Sequence, residues 1–529
     1  MNEDNKNPND IEQPGRPIYG QPQGLMHNQH QLPVKQPLVY SSADKLLLAG
    51  ALLFGIIFVG LFFDNYPGIS VPLIIIVFYS LLFTYTKSVL KKDTWFGWFL
   101  CLPVFLLSLT FFLFGNEVLM ILNILVLPML ILLQTILVTG VNSYKWFSPG
   151  IIPDLFLSMF ARCLIHIPKP FGIISSIART RTGSGGKKSV GSRVLIGLII
   201  SVPVLLVLLL LLSSADMVFG KIVEKLPDFL ESINFSELFS RTIVALFIFF
   251  ISFSYIWSLG HGERFLENRT GLVSSKTPEE KRRWDPVIFI TVTAAVDILY
   301  LFFVVIQFTY LFGRYGLPEG FTYSEYARNG FSELVLVSLL NMGMLAITLT
   351  YTKIMNGFGD RIFRLLNSIM ICCTFVMLCS AYYRMSLYEA AYGFTFLRIM
   401  TQAFMIFLFV LFVITMVRVW NDRVPLLKPY IAAAVIAFTI INYINVDAVI
   451  AQKNIERYRK TGIIDVHYFN SLSSSAIDEL IELSNDSDPE VASEAEKILE
   501  SKKMWLLSKT KWQSFNLADH YARKEMSKQ

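Results

Sequence analysis

Asp216, Glu325, Glu333, Glu389 and Asp447, together with Arg328, Arg384 and Arg398, stand at or beside the ends of long apolar runs. A guanidinium in such a place offers a rigid fork of N–H donors that matches a phosphate or a carboxylate. Asp297 is different. It lies inside the run at 287–311, with Thr291, Thr293 and Gln307 on the same stretch. A charged group at the middle of a bilayer costs on the order of 2.5–3.5 kcal/mol on insertion scales, so it needs a partner or a purpose. The purpose would be a proton or cation relay; the plainer alternative is hydrogen-bonded glue between helices. Asn123, Gln134 and Asn341 add polar groups in other runs.

These residues need elements to hold them. About eleven runs of roughly twenty apolar residues lie between Lys45 and Asp447, each able to cross a ~30 Å hydrocarbon layer as a helix. They read as 45–63, 68–86, 95–115, 118–139, 193–213, 241–260, 287–311, 333–352, 367–388, 398–418 and 429–447. The chain of 529 residues is 54% apolar and 16% charged, where soluble proteins average about 25% charged. Membrane insertion explains that balance, and the bilayer is the first expected partner.

Loop charge orients the runs. Segments 87–94, 140–192, 261–286, 353–366 and 418–428 hold most of the Lys and Arg of this region, and the alternate loops hold few. The positive-inside rule places the basic set and the N-terminus in the cytoplasm, and an odd span count puts the chain after Asp447 outside. On that topology the acids and arginines named first gather on one outer face. Glu325 and Arg328 are three apart and share a helix face; Arg384, Tyr388 and Tyr392 recur at every fourth position as a polar and aromatic stripe. Such a stripe should face protein or a water-filled pocket. Two arrangements are open: ion pairs that lock helix ends and tail together, or an outward-open pocket whose arginines clamp an anion.

Three regions follow. Residues 1–42, rich in Asn, Gln and Pro, form a disordered cytoplasmic tail with no cleavable signal, so the first span acts as the insertion signal. Residues 43–447 are the transmembrane domain, and 448–529 a small helical tail with Asp488-Pro489-Glu490 as a helix start. In that tail Trp505 and Trp512 are expected to pack between helices rather than to anchor in lipid. Residues 151–167 read as an interfacial helix, because Pro153, Asp154, Arg162 and His166 interrupt the apolar run.

Several chemistries find no support. There is no H-E-x-x-H, G-x-S-x-G or C-x-x-C. The Gly- and Lys-rich stretch at 181–189 has Lys188 where a phosphate loop needs Ser or Thr, and reads as a flexible basic linker. The five cysteines lack disulfide or zinc spacing, and the His27–His30 pair is incidental. The net charge of +6 sits in loops, where topology explains it, so nucleic acid is not a partner. No catalytic residue, metal or cofactor is expected.

Several stretches are familiar: SADMVF at 214–219, VIQFTYLFG at 305–313 downstream of Asp297, YSEYARNGFSEL at 323–334, RMSLYEAAYGFTFLR at 384–398, NVDAVIAQKNIERY at 445–458 and KWQSFNL at 511–517. With them the chain resembles a bacterial multi-pass membrane family catalogued as a domain of unknown function, number four-one-seven-three and close to four-one-five-three. The likeness covers roughly residues 45–520. It implies the membrane architecture and supplies no activity.

The expected fold is thus an all-α polytopic transmembrane helix bundle with a small helical C-terminal tail. The leading expectation for function is a non-enzymatic sensor, scaffold or assembly partner of the cell envelope, with an extracellular ligand or envelope protein at its polar outer face. One alternative is a proton- or ion-coupled secondary transporter using Asp297. Another is a lipid- or glycan-modifying membrane enzyme.

Overall fold

The computed structural model describes residues 40–91, 94–142, 144–148, 151–180, scattered positions between 197 and 219, and 235–261, 284–307, 330–352 and 357–528. The N-terminal tail up to residue 39, the linker at 181–189 and most of the run at 193–213 lie outside the described residues. Among them, every extended element is a helix, and a single isolated bridge joins Trp284 to Thr352.

In chain order these are α1 (Ser42–Phe62), α2 (Ser70–Thr86), α3 (Trp95–Phe99), α4 (Cys101–Leu113), α5 (Glu117–Thr139), α6 (Ile151–His166) and α7 (Lys169–Thr180). Then come α8 (Phe235–Gly260), α9 (Pro286–Gln307), α10 (Phe331–Tyr351), α11 (Phe358–Tyr392), α12 (Phe396–Trp420), α13 (Leu427–Tyr443) and α14 (Val446–Thr461). The tail adds α15 (Ile477–Ser484), α16 (Pro489–Ser508) and α17 (Leu517–Met526), with short 3-10 turns between them.

The chain is an all-α polytopic bundle. Among the described residues, eight helices are long and apolar enough to cross a membrane, α3 and α4 counting as one, and α13 with α14 makes a ninth if that bent pair is one span. This is fewer than the eleven runs read from the sequence. Helix α2 is apolar but only 17 residues long, and the run at 193–213 is not described. The last run breaks. Its helix ends at Tyr443 and turns by 59°, so Asp447 opens α14 instead of closing a span.

Local chemistry sets the ends. Ser41 and Asp44 form a reciprocal capping box at α1, and Asn116 caps α5 through the Leu119 N–H. Helices α9, α10 and α12 pack around α11, the longest at 35 residues. Helices α1 and α8 cross closely because Gly55 has no side chain there: a Cβ would collide with the Ala245 carbonyl. Helix α6, the segment read as interfacial, packs against α8 and buries Arg162, which donates to the Val141 carbonyl at 3.3 Å.

The tail has its own core, in which Ile450, Phe469, Leu480, Ala495, Leu506 and Ala522 are buried. It sits on the end of the bundle formed by the last turns of α1 and α4 and the first turns of α2 and α5. Gln513 donates to the Gly60 carbonyl, Lys511 to that of Asp64, and the Ile69 N–H to that of Phe515. Contrary to the packing expectation, Trp512 is 61% exposed. The opposite end carries a basic junction, where Arg364 pairs with Asp360 and Asp422, and Arg418 with Asp422.

Candidate functional site

Buried polar groups concentrate at the joint between tail and bundle. The Asp447 carboxylate accepts from Asn116 Nδ2 at 2.8 Å and from the Ser473 N–H at 3.1 Å, so it ties the cap of α5 to the tail. Asn516 donates to the carbonyls of Phe111 (2.9 Å) and Phe114 (2.6 Å), acceptors left over at the end of α4. Its own oxygen caps α17 by accepting from the Asp519 N–H. Asp519 is buried between Lys509 Nζ at 2.9 Å and Ser474 Oγ at 2.6 Å.

These groups border a cavity of about 570 Å³ lined by the Gly115–Val118 turn, Phe396, Leu397, Asp447, Tyr468, residues 470–474, Ser501, Lys502 and Trp505. Lys502 Nζ donates to the Leu472 carbonyl at 2.5 Å and the Asn470 carbonyl at 3.3 Å. Burial holds its ammonium below the ordinary lysine value of 10.5, against the pull of Asp447, Glu117 and Asp519. The unfolded chain therefore binds this proton more tightly than the folded one, and stability rises as pH climbs through the lowered value toward 10.5. In Lys502→Met that rise should shrink, and paired thermal melts over the alkaline range measure it; parallel curves would show that Lys502 makes no contribution.

The arginines lie on the same end of the bundle but nearer α11 and α12. Arg384 is buried, donates to Gln307 Oε1 at 3.5 Å, and feels the charge of Glu333 at the start of α10. It packs on Gly330, whose φ of 96° is a left-handed conformation and whose missing Cβ would crowd the guanidinium at 2.5 Å. Arg398 caps the carbonyls of Tyr392 and Gly393 at the end of α11, with its guanidinium 4.3 Å over the Tyr388 ring. Glu389 is buried and accepts from Gln402 at 2.5 Å. The helical stripe splits: Arg384 faces protein, and Tyr392 is exposed.

Asp297 stands apart. It is 2% exposed, and neither carboxylate oxygen has a hydrogen-bond partner among the described residues. Its neighbours on the α9–α11 contact are paired: Tyr300 donates to Asn341 at 2.6 Å, Asn341 to Thr374 at 2.9 Å, and Ser380 to Gln307 at 2.8 Å. Polar side chains thus run along α9 and α11 from Asp297 toward Arg384. Asn123 and Gln134, by contrast, serve as glue to Thr110, Asn442 and Cys101.

The sequence-derived residues therefore divide. Tyr388, Glu389 and Arg398 come together, as do Glu333 and Arg384, whereas Asp447 belongs to the tail joint. Asp216 is exposed and accepts from the Val218 and Phe219 N–H groups. Glu325 and Arg328 lie outside the described residues. Missed from the sequence were Lys502, Asn516, Asp519 and Arg457, whose guanidinium holds the carbonyls of Ala390 and Ala391 at 2.9 and 2.6 Å. The Asn516–Asp519 spacing is a helix-cap signal and was available; the pairing of distant carbonyls with Lys502 and Arg457 was not. Arg241, paired with Glu237 and 4.0 Å from Asp64, adds a cation to this end.

Among the described residues no three His, Cys, Asp or Glu side chains form a group that could hold a metal ion. No curated protein and no solved structure matches the chain. A family model does, over residues 101–483, and it carries the second of the two numbers that the resemblance suggested, not the first. The chain belongs to the family described as "Domain of unknown function (DUF4153)".

Proposed function

We propose that the protein is a non-enzymatic integral membrane protein of the bacterial cell envelope. Its tail-bearing end faces outward and serves as a sensing, scaffolding or assembly surface for an extracellular ligand or envelope protein. One observation carries this reading: a tail with its own core is hydrogen-bonded to the ends of α1, α2, α4, α5 and α12, through the buried side chains of Asn516 at α4 and Asp447 at α5 and through Gln513, the Phe515 carbonyl and Tyr468 at the others. A force or ligand on such a tail acts directly on the spans. The basic junction at the opposite end supports the outward orientation.

Charge-neutral changes at Arg328, Arg384 and Asp447 are the test. Normal protein abundance with an altered envelope phenotype is the expected result. Lower abundance with every envelope phenotype untouched would mean that these charges only hold the fold.

A second reading, a proton-coupled transporter, is favoured by the burial of Asp297 with no hydrogen-bond partner among the described residues. It requires that substrate-driven proton entry into vesicles disappear in Asp297→Asn. Equal entry in both proteins would remove it.

A further inference from the structure

The cavity at the tail joint opens at the level where spans begin. Val118 and Leu397, the second residues of α5 and α12, are 47% and 76% exposed on its rim. Apolar side chains exposed at that level lie against acyl chains, whereas the interior behind them is polar. The volume falls within the roughly 300–1,000 Å³ of small-molecule sites.

The lining carries both signs of charge. Lys502 is held by two backbone carbonyls and makes no ion pair among the described residues, so its charge is unneutralised at contact distance. Glu117 is exposed in the first turn of α5, also without an ion pair among the described residues. Asp447 contributes a second carboxylate, but both its oxygens are already bonded. A purely anionic group would meet two carboxylates and a purely cationic one would meet Lys502; a zwitterion satisfies both sides.

We propose that this cavity binds the zwitterionic headgroup of an aminophospholipid, its phosphate toward Lys502, its ammonium toward Glu117, and its acyl chains leaving past Val118 and Leu397. The ammonium supplies N–H donors to a carboxylate, which a quaternary amine lacks. Burial that weakens proton binding by Lys502 fits a site that an incoming phosphate would relieve. The site lies on the proposed sensing face but needs only that this end of the bundle meets a leaflet.

The test uses the full chain, purified in mild detergent and offered phosphatidylethanolamine, phosphatidylcholine or phosphatidylglycerol in mixed micelles, with retained lipid counted by native mass spectrometry. Phosphatidylethanolamine should be retained on the order of tenfold over the other two, the size of one charge-assisted hydrogen bond. Lys502→Met should lower its retention by a similar factor. Glu117→Gln, an exposed change that leaves the joint intact, should abolish the preference over phosphatidylglycerol. Equal retention of all three lipids by the unaltered protein, or an unchanged preference in Glu117→Gln, overturns the assignment. So does displacement of the lipid by soluble glycerophosphoethanolamine at equal concentration, which would mark a soluble ligand. None of these outcomes bears on which side the tail faces, so failure here leaves the sensing reading standing.

Discussion

Asp519→Ala is expected to unseat the C-terminal tail, with a loss of about 3–5 kcal/mol, the usual result of breaking one side of a buried ion pair. Asp519 is 2% exposed, and the Lys509 side chain that it pairs with is 11% exposed. Removing the carboxylate leaves the ammonium largely out of water with the Trp505 and Tyr66 rings, 3.4 and 5.5 Å away, to soften it. Ser474 Oγ loses its acceptor as well. Asp519→Asn keeps a hydrogen-bond acceptor but not the charge, and should fall between. Adding Lys509→Met to Asp519→Ala should recover part of the loss, because the unpaired charge is then gone. Limited proteolysis of the full chain reads this out as new cleavage after Thr461. A tail as resistant in Asp519→Ala as in the unaltered protein would show that the joint does not depend on this pair.

Asp297→Leu is expected to do the opposite and stabilise the bundle, by about 1–3 kcal/mol, since it removes a buried polar group that has no hydrogen-bond partner among the described residues. The leucine has the same branching as the aspartate with methyl groups in place of its oxygens, so the core of α9 against α11 is not emptied. Asp297→Asn should change stability little. Thermal melts in detergent distinguish these cases. A destabilised Asp297→Leu protein would mean that the carboxyl has a partner after all and serves as glue. A stabilised one marks Asp297 as a residue held at the expense of the fold, which is the usual signature of function at a buried site.

Apolar length carried much of the architecture. Runs such as 45–63 and 118–139 have α1 and α5 as their helices, since nothing but a helix satisfies their backbone in lipid. The bend after Tyr443 was not legible, because Ile444 and Asn445 interrupt no apolar pattern strongly enough to mark it. The charges at the helix ends were legible one by one but not as contacts. Arg398 turned out to bond the end of its own hairpin, and Asp447 to bond the tail, because each answers an orphan backbone group that only the folded chain creates. Lys502 was invisible for the same reason: in the sequence it is one of several lysines on an amphipathic helix, and only the docking of α16 half-buries it.

The outward position of the tail is the claim on which the sensing reading depends. A single cysteine at Asn470, an exposed position beside the cavity, in a chain whose five native cysteines have been replaced, tests it in intact cells. Labelling by a membrane-impermeant thiol reagent added outside is the predicted result. Labelling only after permeabilisation would put the tail joint, and the arginines that share its end of the bundle, on the cytoplasmic side and contradict an outward-facing recognition surface.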